Sequence, residues 1–286
     1  MEIRKVGVLG AGQMGLGIAQ ATARAGFETI LAKATPGGLD AQRGRVEKQL
    51  QKDVERGKLS AADHGALPNV DLLIESVVEE LPVKRDFFVR LDDVVQDQAI
   101  FATNTSTLTV GDLASATKRP ERCVGLHFFN PVHAMKLVEV APSLRTSRET
   151  VATCVAFATR LGKVPVVVAD STGYIVNRLL VPYMVDAIVC LERALGSIAD
   201  IDAAMQNGAN HPMGPLALAD FIGLDIVFHM ASLLHEEYRE PRFAPPPLLR
   251  RMVLAGYLGR KSGLGFYDYK QTPPAPRDAL VQRGLG

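Results

Sequence analysis

IRKVGVLGAGQMG, residues 3 to 15, is the stretch on which the reading of the fold turns. Its first half is an apolar, β-branched run closed by glycine, the pattern of a strand buried on both faces of a parallel sheet. Its second half, GAGQMG at 10 to 15, matches G-x-G-x-x-G, and the alanine-rich residues that follow to Arg24 read as a helix ended by Gly26. The glycine pattern alone is weak, but between a strand and a helix each position has a task. Gly10 makes the tight turn, Gly12 lets a pyrophosphate approach the backbone, and Gly15 lets the helix pack on the strand. The helix start then offers free N–H groups and its dipole to the phosphates, with Gln13 and Met14 completing the loop. The plainer alternative is a glycine-rich turn with no ligand.

Outward from this unit the alternation continues. ETILA reads as a second strand, and residues 39 to 58 are polar and helix-forming. DLLIESV, QAIFAT, CVGLHFF and MKLVEV read as further strands with helix-like segments between them. This predicts an α/β fold, an N-terminal Rossmann-type doubly wound sheet. After about residue 170 the pattern changes to helices: one long amphipathic stretch at 174 to 195 with Pro182 as a kink, then 198 to 208, 215 to 236 and 246 to 256. The boundary is placed at STG, giving a dinucleotide-binding domain at 1–172 and an all-α domain for substrate binding and dimerisation at 173–286. The tail QTPPAPRDALVQRGLG is expected to fray, because its prolines extend neither a helix nor a sheet.

Composition excludes several functions. A chain of 286 residues with 47% hydrophobic and 22% charged content is an ordinary globular protein of one large or two modest domains. A net charge of +1 exerts no pull on nucleic acid or an anionic membrane. Cys123, Cys154 and Cys190 lack ligand-like spacing, so buried hydrophobes in a reducing compartment are expected rather than a metal site or a disulfide. The opening residues lack a signal-peptide layout, and LLVPYMV is too short to span a bilayer, which makes the cytoplasm the expected location.

The second strand of a dinucleotide fold usually ends in an acid that binds the adenine ribose hydroxyls. Here the end reads ILAKATPGG, with Lys33 in that place. Without the carboxylate a 2′-phosphate meets no repulsion, and a lysine attracts it. This leans the cofactor from NAD toward NADP, unless Lys33 is a solvated surface residue and NAD still binds.

GLHFFNPVHAMKLVE, at 125 to 139, holds the chemistry. A histidine inside an apolar strand needs a partner, because an unsatisfied polar group is costly when buried. Glu139 lies on the next strand, within reach of one imidazole nitrogen of His127. The other nitrogen would then face the cleft beside the glycine loop. A carboxylate that orients an imidazole makes it a general base for a substrate hydroxyl, with hydride leaving the same carbon for nicotinamide. Spacing alone equally allows a core histidine with a satisfied hydrogen bond.

Here the sequence resembles the short-chain 3-hydroxyacyl-CoA dehydrogenase family, which includes 3-hydroxybutyryl-CoA dehydrogenases. The resemblance rests on GAGQMG, DLLIESVVEELPVKRDFF at 71, ATNTSTL at 102, GLHFFNPVHAMKLVEV at 125, STGYIVNRLLVPY at 171, PMGPLALADFIGLD at 212 and GRKSGLGFYDY at 259. It implies a 3-hydroxyacyl-CoA/3-ketoacyl-CoA oxidoreductase, a homodimer, with an acyl-CoA substrate. His127 would be the catalytic base and Glu139 its orienting partner. Ser106 and Asn177 would hold the substrate's 3-oxygen, and Asn130 would support the site. Glu79, Lys84 and Asn104 would lie at the cofactor, Glu79 and Lys84 near the nicotinamide ribose. Each has a plainer alternative: Ser106 as a helix cap, Asn130 as turn chemistry before Pro131, Asn177 as a helix-start residue, and Glu79 with Lys84 as a solvated ion pair at a helix end. Met135 and Phe221 are candidates for the acyl pocket or simply core.

The segment 58 to 71 is shorter than the family pattern, so the sheet is expected to lack a strand there. In the helix before it, Arg45, Lys48, Lys52 and Arg56 share one face, suited to the phosphates of coenzyme A or of a phosphopantetheine carrier, or else to solvent beside Glu47, Asp53 and Glu55. That shortening motivates a rival substrate, a carrier-bound or free 3-hydroxy acid. A second rival, the β-hydroxyacid dehydrogenase group, uses a lysine in the second domain and lacks the His127–Glu139 pair. A third is a nucleotide-binding protein without turnover.

Overall fold

The structure is a computed structural model that describes residues 1–32, 67–278 and the backbone of 59–62. Its contacts divide the chain into two units, Met1–Tyr174 and Ile175–Gly286.

The first unit is built on one eight-stranded sheet. The strands are β1 (Lys5–Leu9), β2 (Glu28–Ala32), β3 (Leu59–Ala62), β4 (Leu72–Glu75), β5 (Ile100–Thr103), β6 (Cys123–Phe128), β7 (Leu137–Pro142) and β8 (Val164–Val167). Their order is β3-β2-β1-β4-β5-β6-β7-β8. The first six are parallel, β7 turns back antiparallel to β6, and β8 runs parallel to β7. The chain winds outward from β1 to β3, then returns to β4 on the other side of β1, and the crevice at that reversal is where open α/β sheets take ligands. Central strands bury every side chain, as their unbroken apolar runs require: all four residues of β4 and of β5 are buried, and all six of β6. Its described α-helices are α1 (Gln13–Arg24), α2 (Leu81–Asp92), α3 (Val110–Ala114) and α4 (Arg148–Arg160).

β3 corrects the expectation that the short segment before DLLIESV costs the sheet a strand. Leu59–Ala62 pairs with Thr29–Ala32 in parallel register at the sheet edge. Four residues suffice there, because an edge strand needs only one neighbour. Edge strand β8, in the β-branched run VPVVV at 164 to 168, is not among the strands read from the sequence; its Val164, Val166 and Val167 are exposed, unlike the buried runs of the centre.

The second unit holds α5 (Val176–Glu192), α6 (Ile198–Gly208), α7 (Pro215–Ile222), α8 (Leu224–Tyr238) and α9 (Pro247–Leu254) around a core that includes Met184, Ile188, Leu216, Val227 and Leu234. α5 continues through Pro182. The single helix expected over 215 to 236 is instead two, bent by 97°. Gly223 sits between them at φ +110, a conformation that other residues rarely adopt. The tail also departs from expectation. Ala275–Pro276 pairs antiparallel with Tyr267–Asp268, in a ribbon too short for the missing proline N–H to matter.

Two buried acids fasten this unit. Asp202 accepts from the N–H groups of Leu216 and Ala217 at the start of α7 and from the Tyr267 hydroxyl. Asp220 accepts from the N–H groups of Phe266 and Tyr267 and from the Tyr269 hydroxyl. Burial pushes Asp220 up to about 6 despite those donors. The PMGPLALAD and GLGFYDY stretches are therefore explained by packing and hydrogen bonding within the helical unit.

Candidate active site

The glycine loop is built to receive an anion. Gly10 has φ +110, and a Cβ there would run into the Ser76 carbonyl, so the turn leaving β1 is closed to other residues. A Cβ on Gly15 would strike the Gly10 carbonyl, which fixes how closely α1 approaches the strand end. Gly12 differs: a Cβ there would meet nothing within 4 Å. It is also the N-cap of α1 and supplies no side-chain cap, so the first-turn N–H groups and the helix dipole face that open space. Gln13 is exposed and Met14 half-buried at the same helix start. This arrangement fits the pyrophosphate of a dinucleotide.

Three strands away from β1, the antiparallel pairing of β6 with β7 sets His127 directly opposite Glu139. His127 Nδ1 donates to Glu139 Oε2 at 2.8 Å; the imidazole is 6% exposed and the carboxylate fully buried. An ionised carboxylate only accepts, so the ring proton sits on Nδ1 and Nε2 is left with its lone pair. The ring is flanked by Phe129, with centroids 4.4 Å apart, and by Tyr174, at 5.7 Å. Both ring rotation and tautomer are thus set.

Asn104, at the end of β5, connects this pair to the glycine side. Its Oδ1 accepts from the Phe128 N–H, and its Nδ2 donates to Ser76 Oγ. Beside it lies a buried ionic cluster. Lys84, on α2, is 1% exposed and reaches Glu75 Oε1 at 2.7 Å and Glu79 Oε2 at 3.2 Å. Glu79 Oε1 accepts from the Thr105 hydroxyl, the Ser106 N–H, the Thr107 N–H and the Thr107 hydroxyl. Burial works to raise the Glu79 carboxyl, but Lys84, the Thr105 hydroxyl and the Ser106 amide together hold it below its usual range. Glu79 and Lys84 are therefore no solvated helix-end pair; they hold the loop that carries half-buried Ser106. Ser106 does not cap the next helix, whose N-cap is Thr109.

Asn130 is exposed where the chain leaves β6, and Asn177 lies in the first turn of α5 in the helical unit. Met135 and Phe221 are partly exposed. Lys33, Arg45, Lys48, Lys52 and Arg56 lie outside the described residues. Among the described residues no group of His, Cys, Asp or Glu could hold a metal. Burial pushes the Cys123 and Cys154 thiols up to about 12, so both stay protonated.

Sequence reasoning missed three residues. Glu75 carried a signal, an acid inside the apolar run DLLIESV. Asp170 accepts from the N–H groups of Val110 and Gly111 and so caps α3 from a distant segment. Tyr174 has φ 44 and a buried hydroxyl with no hydrogen-bond partner among the described residues. Burial, then the charges of Asp170, Glu79 and Glu139, push its phenol well up. Tyr174→Phe keeps the ring against His127 and removes the unsatisfied hydroxyl. It is expected to stabilise the protein by about 1 kcal/mol with activity retained. A lower melting temperature than wild type would contradict that account of the hydroxyl.

The sequence model of the 3-hydroxyacyl-CoA dehydrogenase NAD binding domain matches residues 5–171, and that of the 3-hydroxyacyl-CoA dehydrogenase C-terminal domain matches residues 173–269. The chain is 44% identical to the 3-hydroxybutyryl-CoA dehydrogenase of Mycobacterium tuberculosis, over 93% of this chain and 99% of that one. It is 42% identical to a probable 3-hydroxybutyryl-CoA dehydrogenase of Bacillus subtilis, over 95% and 99%. The crystal structure of M. tuberculosis FadB2 superposes with a TM-score of 0.89 at 44% identity, covering 94% of this chain and all of that one. A glycine loop shaped for a dinucleotide, a paired histidine and glutamate on adjacent strands, and matches along both units have one common explanation: the chain belongs to the 3-hydroxyacyl-CoA dehydrogenase family, an oxidoreductase with that family's NAD-binding domain.

Proposed function

We propose that this protein interconverts short-chain 3-hydroxyacyl-CoA and 3-ketoacyl-CoA thioesters, 3-hydroxybutyryl-CoA and acetoacetyl-CoA foremost, with His127 as general base. The observation that carries the reading is the 2.8 Å bond from His127 Nδ1 to the buried Glu139 carboxylate. It leaves Nε2 to take the 3-hydroxyl proton in oxidation and to return it in reduction. Glu139 stays ionised and stabilises the imidazolium that forms. Ser106 and Asn177 hold the 3-oxygen, and Asn130 supports the same region. The bound cofactor's nicotinamide accepts or supplies the hydride. Ser106 can position the substrate because Glu79 fixes its backbone N–H.

Lys33, in the place of the usual acid, supports a preference for NADP over NAD through attraction of a 2′-phosphate. Lys52 and Arg56 supply charge for the phosphates of coenzyme A. The enzyme acts as a homodimer in the cytoplasm, a reading supported for the dimer by the exposed apolar side chains of Leu179, Phe221 and Ile226.

The test is oxidation of NADH and of NADPH, in parallel, with acetoacetyl-CoA and the purified protein. Turnover is expected with both, and faster with NADPH. A faster rate with NADH would remove the role given to Lys33. No turnover with either, from protein that binds one of them, would move the substrate to a carrier-bound or free 3-hydroxy acid.

A further inference from the structure

The cluster around Lys84 is not electrically balanced. Glu75 Oε1 accepts from the Val77 N–H and from Lys84 Nζ, and Oε2 accepts from the Thr103 hydroxyl. That hydroxyl accepts from the Thr105 N–H and donates its own proton to Glu75. Every hydrogen around Glu75 comes from its neighbours, which is the pattern of an ionised carboxylate. Glu79 is ionised by the same criterion, with two backbone N–H groups directed at Oε1. Two carboxylates share one ammonium, and no other cation lies within ion-pair distance of them among the described residues. The cluster therefore holds one negative charge in excess. With Glu75 fully buried and Lys84 nearly so, water screens it weakly.

Its place in the fold gives that charge a use. Glu75 ends β4, and Thr103 ends β5 beside it. Both strands lie on the side of the switch point away from β2, with the pyrophosphate cradle of the glycine loop at the centre. A dinucleotide bound there lays its adenosine half toward β2 and its nicotinamide half over the ends of β4 and β5. The nicotinamide ring carries a positive charge when oxidised and none when reduced.

We infer that the Glu75–Lys84–Glu79 cluster shifts the protein's affinity toward the oxidised cofactor relative to the reduced one, and that the shift needs the charge of Glu75. Glu75 is a positioning residue: it acts on the ring by charge, and on the Ser106 loop through Lys84 and Glu79, without touching substrate. The inference rests on the dehydrogenase reading, since it needs a nicotinamide at this end of the sheet. One weakly screened charge near the ring changes the oxidised-form affinity by roughly three- to tenfold, and leaves the affinity for the uncharged reduced ring alone.

The experiment is direct binding. Dissociation constants for the oxidised and reduced cofactor are measured by calorimetry for wild type, Glu75→Gln and Glu75→Asp. Glu75→Gln keeps the volume and removes the charge, and is expected to raise the oxidised-to-reduced ratio of dissociation constants about three- to tenfold. Glu75→Asp disturbs packing but keeps the charge, and is expected to retain the wild-type ratio. A Glu75→Gln protein in which both constants change by the same factor would overturn the inference and leave Glu75 a purely structural role. So would a shift of equal size in Glu75→Asp. Should Glu75→Gln fail to fold, Glu79→Gln neutralises the same cluster and must move the ratio in the same direction. Wild-type protein that binds neither form would instead sink the dehydrogenase reading, and this inference with it.

Discussion

Replacing His127 with glutamine lowers kcat about 10³-fold, in both directions, with cofactor affinity unchanged. The size follows from the role: a positioned general base contributes roughly 10²–10⁴ to the rate. Here the base is held on three sides. Glu139 binds Nδ1, and Phe129 and Tyr174 flank the ring. Little reorganisation is left for the moment of proton transfer. Glutamine fills similar space and can still hydrogen-bond to Glu139, so the fold is expected to survive and the loss to fall on the chemical step. The check is steady-state turnover of acetoacetyl-CoA together with cofactor binding. A variant that keeps a tenth or more of wild-type kcat would assign proton transfer to another group and return His127 to the core, and would favour chemistry based on a lysine of the helical unit.

Glu139→Gln gives the second large effect, a fall in kcat of about 10²–10³-fold. The amide can still accept from Nδ1, but it cannot stabilise the imidazolium, and turned about it donates to Nδ1 and imposes the wrong tautomer. Stability should move little or rise, because replacing a buried charge by an isosteric neutral group removes a desolvation cost. That split separates the proposed role from a structural one. Activity collapses while the melting temperature holds. A melting temperature that falls in step with activity would mark Glu139 as a packing residue.

Much of this was legible in the sequence, for identifiable reasons. The glycine loop is a local motif, and the tight turn at Gly10 and the close helix packing at Gly15 were legible because each contact is made within a few residues or with the neighbouring strand. The His127–Glu139 pairing was legible because consecutive strands, once antiparallel, oppose residues in fixed register. What was hidden depended on contacts between distant segments. By spacing alone Lys84 reads as a solvated partner of Glu79, until Glu75 is folded beside both. Asp170 gives no hint of the helix it caps 60 residues away. β3 is four residues long, too short for a period to show, and exists because β2 offers it an edge. The break at Gly223 was visible only as one glycine in an otherwise helical pattern, where it is tolerated often enough to be passed over.

The central claim is that His127 and Glu139 act as one unit in proton transfer, and a double-mutant cycle tests it most directly. kcat is measured for wild type, His127→Gln, Glu139→Gln and the double variant. If Glu139 acts only through the imidazole, the double variant is as slow as His127→Gln alone, within about twofold. Losses that multiply would show two independent contributions and contradict the account.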